Sequence, residues 1–131
     1  MMNAKKILLV DDDEIFNFIS TKTLQKLGLA QDIHCALNGQ DALTLINDYF
    51  AHSRSMPDII LLDLNMPVLD GFGFIEAIKK MNLAGLDKVK IIVITSSQSP
   101  RDIERVKQMG IKHYLTKPIS QEDLLAAIMD N

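Results

Sequence analysis

An α/β domain, with one doubly wound five-stranded parallel sheet and helices on both faces, is the fold class this sequence predicts. Three observations predict it. Five short apolar runs are separated by stretches with helical spacing, so strand and helix alternate five times. Several of these runs are continuously aliphatic rather than alternating, as strands buried on both faces require. The chain has 131 residues, which suits one compact domain and is too short for two ordinary ones.

The expected strands are Ile7 to Val10, Ile33 to Leu37, Ile59 to Leu62, Ile91 to Ile94, and Ile111 to Leu115. The first, third and fourth are wholly aliphatic and belong in the middle of a sheet. The second and fifth contain His34, Lys112 and His113 and suit less protected positions. Helical spacing links them. Ile15, Phe16, Ile19, Leu24 and Leu27 give one apolar face, ended by Gly28. Ala42, Leu43, Ile46, Tyr49 and Phe50 give a second, capped by Asn38. Phe74, Ile75 and Ile78 form a third after Asp70 and Gly71. Ser99, Pro100 and Asp102 start a fourth, with proline in the first helical position and Gly110 closing it. Leu124, Leu125, Ile128 and Met129 form a fifth behind Ser120 and Asp123. The segments His52 to Pro57 and Met81 to Lys88 read as longer surface loops. No repeat or linker interrupts the pattern, so a single domain is expected over residues 1–131.

Composition narrows the classes further. Hydrophobic residues make up 47% and charged residues 24%, enough for a core on a well-solvated surface. Aromatic content is low, so aliphatic side chains must build that core. The net charge of −3, without a basic stripe, disfavours direct binding to nucleic acid. Cys35 is the sole cysteine, which excludes an internal disulfide; lying in an apolar stretch, it is expected to be a buried core thiol in a reducing setting. The start, MMNAKK, precedes only four apolar residues, too few for a signal peptide or a membrane span, so a cytoplasmic protein is expected. His34, His52 and His113 are too scattered for a zinc site and read as structural or surface residues. The seven methionines read as core filler, with Met66 in the loop after the third strand.

In a doubly wound fold, ligands gather at the carboxyl ends of the strands. There the sequence places Asp11, Asp12, Asp13 and Glu14 after the first strand, Asp63 and Asn65 after the third, Thr95, Ser96 and Ser97 after the fourth, and Lys117 and Pro118 after the fifth. Clustered carboxylates repel one another and favour a hard divalent cation; magnesium, with manganese as a substitute, suits few protein ligands and open positions for water and phosphate. A carboxylate can act as a nucleophile toward phosphorus and form an acyl phosphate. A lysine and a hydroxyl can stabilise the phosphoryl oxygens. Taken singly, each residue has a blander explanation: Asp13 and Glu14 favour a helix start, Thr95 and Lys117 are common surface types, and Tyr114 suits a half-buried edge strand.

Taken together, VDDDE, LLDLNMPVLDG, VITSS and YLTKP, in that order and at strand ends, resemble the receiver domain of bacterial two-component response regulators. The resemblance covers essentially the whole chain. It implies a flavodoxin-like fold with strand order 2-1-3-4-5. It also implies that Asp63 is the phosphoacceptor, and that Asp11, Asp12, Asp63 and the Asn65 backbone carbonyl hold the magnesium ion. Thr95 and Lys117 would assist at the phosphoryl group, and Thr95 and Tyr114 would form the switch. The Lys117–Pro118 peptide is expected to be cis, Ser96 to leave room for the phosphodonor, and Asn65 and Ser97 to tune dephosphorylation. The implied partners are a histidine kinase or phosphotransfer protein and a downstream protein that reads the face of the fourth helix, fifth strand and fifth helix. Neither nucleic acid nor membrane is an expected partner, and a monomer or weak dimer is expected. A stand-alone receiver without an output domain is expected, because the sequence begins with Met and ends without a linker; a receiver cut from a hybrid kinase or a longer regulator would look the same. Beyond its own phosphorylation and autodephosphorylation, no enzyme activity is expected. A haloacid-dehalogenase-type phosphatase also uses an aspartyl nucleophile, but wants a second aspartate where Asn65 stands. A flavodoxin-like cofactor binder wants a phosphate-cradling loop where the acidic VDDDE stands.

Overall fold

The computed structural model describes residues 5–50, 52 and 55–130, with residues 49 and 50 in backbone only. Strands β1 (Lys5–Val10), β2 (Ala30–Ala36), β3 (Ile59–Leu62), β4 (Lys90–Thr95) and β5 (His113–Thr116) alternate with helices α1 (Glu14–Lys26), α2 (Gly39–Leu45), α3 (Gly71–Lys80), α4 (Pro100–Gln108) and α5 (Gln121–Met129). A π-helical turn, Ile46–Phe50, extends α2, and a short 3-10 turn, Leu86–Lys88, precedes β4. The sheet is parallel throughout, in the order β2-β1-β3-β4-β5. The two runs with polar interruptions are therefore the edge strands, as their sequences predict.

Successive side chains of a strand point to opposite faces, and the aliphatic runs consequently feed two cores. Leu8, Val10, Ile60, Leu62 and Val93 pack with Phe74, Ile75 and Ile78 of α3 and Val106 of α4. Ile7, Leu9, Ile59, Leu61, Ile92 and Ile94 pack on the other face with Leu24 of α1 and Leu124 and Ile128 of α5. Among the described residues, Phe72 and Phe74 are the only aromatic residues in the buried core, which is otherwise aliphatic.

Three expectations need correction. On α1 the inward residues are Asn17, Ser20 and Leu24, whereas Ile15 and Ile19, expected inside, are 72% and 58% exposed, and Phe18 lies beside them on the outside. The helix turns small polar side chains toward the sheet because the Asn17 amide donates to the Asp11 carbonyl at 2.9 Å. Cys35 is exposed rather than buried, because β2 is an outer strand with a neighbour on one side only. Its thiol is still partly shielded, and that burial pushes its pKa up against the opposing Thr21 hydrogen bond. On α5, Leu125 and Met129 face outward, and Ala127 takes the inward position between Leu124 and Ile128. Ser99 sits at the N-cap of α4, where the helix start is expected, but makes no side-chain capping bond; its N–H donates to Ser97 Oγ.

The other predicted helix starts also hold. Asn38 caps α2, Asp70 caps α3 and Ser120 caps α5, each accepting from a backbone N–H. Of the second helix's expected face, Ala42 and Ile46 are buried, while the side chains of Tyr49 and Phe50 lie outside the described residues. Met56, Met66 and Met109 pack against the core, but Met129 is exposed. Among the described residues no helix is long and apolar enough to cross a membrane.

Candidate functional site

Two backbone bonds and one from backbone to side chain fix the carboxyl end of β1. Asp11 N–H donates to Ala36 O, Asp63 N–H to Val10 O, and Asp13 N–H to Asp11 Oδ1. Asp13 then caps α1, accepting from Ile15 and Phe16 N–H at 3.1 Å. Asp11 and Asp63 are thus pinned side by side on neighbouring central strands, only 2% and 6% exposed, while Asp12 points to solvent. One carboxylate oxygen from each of the three lies within 4.8 Å of the others.

Lys117 reaches this cluster from the end of β5. Its Nζ donates to Asp11 Oδ2 at 2.7 Å and lies 3.8 Å from Asp63 Oδ2. The Lys117 N–H donates to Thr95 O, which ties the β5 end to the β4 end, and the Lys117–Pro118 peptide is cis, as expected. Burial pushes the Asp11 carboxyl above the usual aspartate range. The Lys117 and Asp13 hydrogen bonds pull it down, and the Asp63 charge pushes it up again.

Thr95 is fully buried, and its Oγ1 accepts from Ser97 N–H at 3.3 Å. Ser97 is a junction: its carbonyl accepts from the Tyr114 hydroxyl at 2.8 Å, and its own hydroxyl donates to Asp102 of α4 at 2.7 Å. Burial, more than its charged neighbours, raises the pKa of Tyr114. The predicted residues Asp11, Asp12, Asp63, Thr95, Tyr114 and Lys117 therefore converge on one end of the sheet. Asn65 stands next to them, exposed, with its N–H 3.4 Å from Asp63 Oδ1. Ser96 is exposed beside Thr95. His34 and His113 take part in structural pairs with Asp32 and Asp130, away from the acids.

Other contributors have no role assigned by the motifs, although Gly71 and Val68 lie within LLDLNMPVLDG. Gly71 lets α3 press against the β3 end, because a Cβ there would sit 2.4 Å from the Asp63 carbonyl oxygen. Gly39 gives the same clearance to the Leu69 carbonyl, at 2.6 Å. Between them, Leu69 N–H donates to Pro67 O across exposed Val68, whose φ of 69° is left-handed. The Asn17 Oδ1 is buried without a hydrogen-bond partner. A groove of about 730 Å3 lies at the opposite end of the sheet, lined by the starts of β4 and β5 and by lysines such as Lys88 and Lys112; it contains none of the converging residues.

Chemically, the carboxylates offer hard oxygen donors in a close group that, among the described residues, one cation, Lys117, partly neutralises. Such a donor set fits a small divalent cation. Asp63 is buried, with Oδ1 3.4 Å from the Asn65 N–H and Oδ2 3.8 Å from Lys117 Nζ, and Lys117 and Thr95 bring one charged and one neutral donor to the same end of the sheet.

Comparison with known proteins points the same way. A probable methanogenesis regulatory protein, FilR2, of Methanothrix harundinacea is 32% identical over 118 residues, 90% of this chain and 75% of that protein. The chemotaxis protein CheY4 of Vibrio cholerae superposes with a TM-score of 0.79 at 28% identity, covering 96% of this chain and 97% of that one. A two-component response regulator from Cytophaga hutchinsonii gives 0.83 at 27% identity, covering 95% and 96%. The sheet order and five flanking helices are those of this CheY-like, flavodoxin-type fold. The family model for the response regulator receiver domain matches residues 7–129, and the chain belongs to that family.

Proposed function

We propose that Asp63 accepts a phosphoryl group from a histidine kinase or phosphotransfer protein in a magnesium-dependent reaction, and that this changes a surface read by a downstream protein. The observation that carries the proposal is the position of Lys117, bonded to buried Asp11 and 3.8 Å from Asp63 at the junction of three strand ends. An Asp63 oxygen attacks phosphorus, a new O–P bond forms, and the bond from phosphorus to the donor's nitrogen breaks with its electron pair going to that nitrogen. Asp11, Asp12, Asp63 and the Asn65 carbonyl would hold the magnesium ion. When bound, the ion supplies positive charge that offsets the repulsion between the acids and the phosphoryl oxygens.

Lys117 and Thr95 act on the product. The ammonium exchanges its carboxylate contacts for a phosphoryl oxygen, and the Thr95 hydroxyl turns to donate to another. Ser97 N–H then loses the acceptor it has in the unphosphorylated chain. Because Ser97 also holds Tyr114 and Asp102, its movement is passed to β5 and α4 together. The α4–β5–α5 face is therefore the surface assigned to the downstream protein, with exposed Glu104 and Lys107 giving it mixed charge.

Intact-mass measurement of the purified protein with acetyl phosphate provides the test. A gain of one phosphoryl group that requires magnesium and is lost in Asp63→Asn is the expected result. Equal labelling of Asp63→Asn would move the acceptor elsewhere, and no labelling of the wild type under any metal would sink the proposal.

A further inference from the structure

Lys117 has one more neighbour. Its Nζ lies 4.3 Å from the centroid of the Phe16 ring, in α1, well within the range where an aromatic face attracts an ammonium. The contact joins two elements that share no motif. Phe16 follows the acid run by a few residues, on the first turn of α1, and its own N–H is held by the Asp13 cap. The ring is half-buried and packs against the core on the α1 and α5 face. Lys117 is 18% exposed at its side chain, so little water competes for the cation. The Lys22 ammonium lies farther from the ring of exposed Phe18, at 5.5 Å, an outside pair with no such confinement.

We infer that Phe16 is a positioning residue for phosphoryl transfer, holding the Lys117 ammonium against the acid cluster by the face of its ring. This rests on the phosphoacceptor role proposed for Asp63. The physical reason is the kind of attraction a ring provides. An ammonium has three N–H donors, and one of them is given to Asp11. A third carboxylate or a carbonyl in place of the ring would fix another donor and oppose its transfer to a phosphoryl oxygen. A ring face attracts the charge without accepting a directional bond. The cation stays confined, yet its remaining protons are free to re-aim. In the transfer from acetyl phosphate, an Asp63 oxygen forms the bond to phosphorus and acetate leaves with the electron pair of the broken P–O bond. Lys117 keeps all its protons and neutralises charge on a non-bridging oxygen.

The test replaces the ring without removing its bulk. Cyclohexylalanine is placed at position 16 by stop-codon suppression, with Phe16→Leu and Phe16→Tyr as ordinary variants. Two quantities are read: the initial rate of phosphorylation by acetyl phosphate, and the NMR shift of the Lys117 Hε protons in the unphosphorylated, metal-free protein. In the wild type the Hε resonances lie upfield from ring current. Cyclohexylalanine and Leu abolish that shift and slow phosphorylation by about three- to tenfold, and Tyr restores both. A progressive fall in rate across mono-, di- and trifluorinated phenylalanine at this position marks electrostatic attraction, which a purely structural ring would not show. Wild-type Hε protons without an upfield shift, or a cyclohexylalanine variant as fast as a competent wild type, overturn the inference alone. A wild type that takes no phosphoryl group overturns the role of Asp63 with it.

Discussion

Asp11 is an ionisable side chain almost fully withdrawn from water beside two further carboxylates. Its pKa is raised above 3.8 mainly by burial, so the folded chain holds this proton to higher pH than the unfolded chain does. The stability it contributes is fully present below the unfolded value and is lost as pH rises through the folded one. Asp11→Asn removes the charge and keeps Oδ1 as an acceptor for the Asp13 N–H, but puts an amide donor where Oδ2 accepts from Lys117. In metal-free buffer the Tm difference between the variant and the wild type should change between pH 7 and pH 3.8, moving in the variant's favour as pH rises through the raised Asp11 pKa. Matched scans across that range check it, and a gap that does not change with pH would contradict the electrostatic cause. The residues of the site differ in how legible they are. Asp11, Asp63, Thr95, Tyr114 and Lys117 are named by short motifs at strand ends, because their chemistry dictates their type. Phe16, Asn17 and Gly39 are not, because their contributions come from a ring face, a single amide bond and the absence of a Cβ, which only packing reveals.

Among the elements, the central strands are nearly transparent in sequence. Ile59 to Leu62 is predicted with its observed ends, because nothing but a strand buried on both faces calls for four consecutive aliphatic residues there. Helix faces are less so. An apolar side chain on α1 signals the inside only if polar groups have no reason to be there, and next to an acid cluster Asn17 has one. The loop between β3 and α3 is the least legible element. Its Pro67–Val68–Leu69 segment closes as a γ-turn at a φ of 69°, and the sequence supplies a β-branched residue there, at a cost of about 1–3 kcal/mol. Asparagine tolerates that conformation better, and Val68 is 81% exposed, so little packing is lost on replacement. Val68→Asn is therefore expected to stabilise the protein by about 1 kcal/mol in urea unfolding; a lower midpoint would show that the valine side chain supports the loop.

For the molecule as a whole, the acid site makes stability depend on the cation it is proposed to hold. Anything that binds only the folded chain raises its melting temperature with concentration. Titration with magnesium should raise the wild-type Tm progressively, while Asp12→Asn, exposed and outside the core, should melt like the wild type without metal and respond weakly. An equal response from both would place the cation elsewhere. The sheet order adds a last consequence, for how the chain comes to be competent at all. Asp11 and Lys117, bonded at 2.7 Å, are 106 residues apart in sequence, joined through β1, β3, β4 and β5 in turn. No fragment that lacks either end can assemble the pair, and closure of so long a loop comes late among folding events. A nascent or partly unfolded chain consequently carries Asp11 and Asp63 without their cation, and the phosphoryl uptake proposed for Asp63 would double as a report that folding has run to completion.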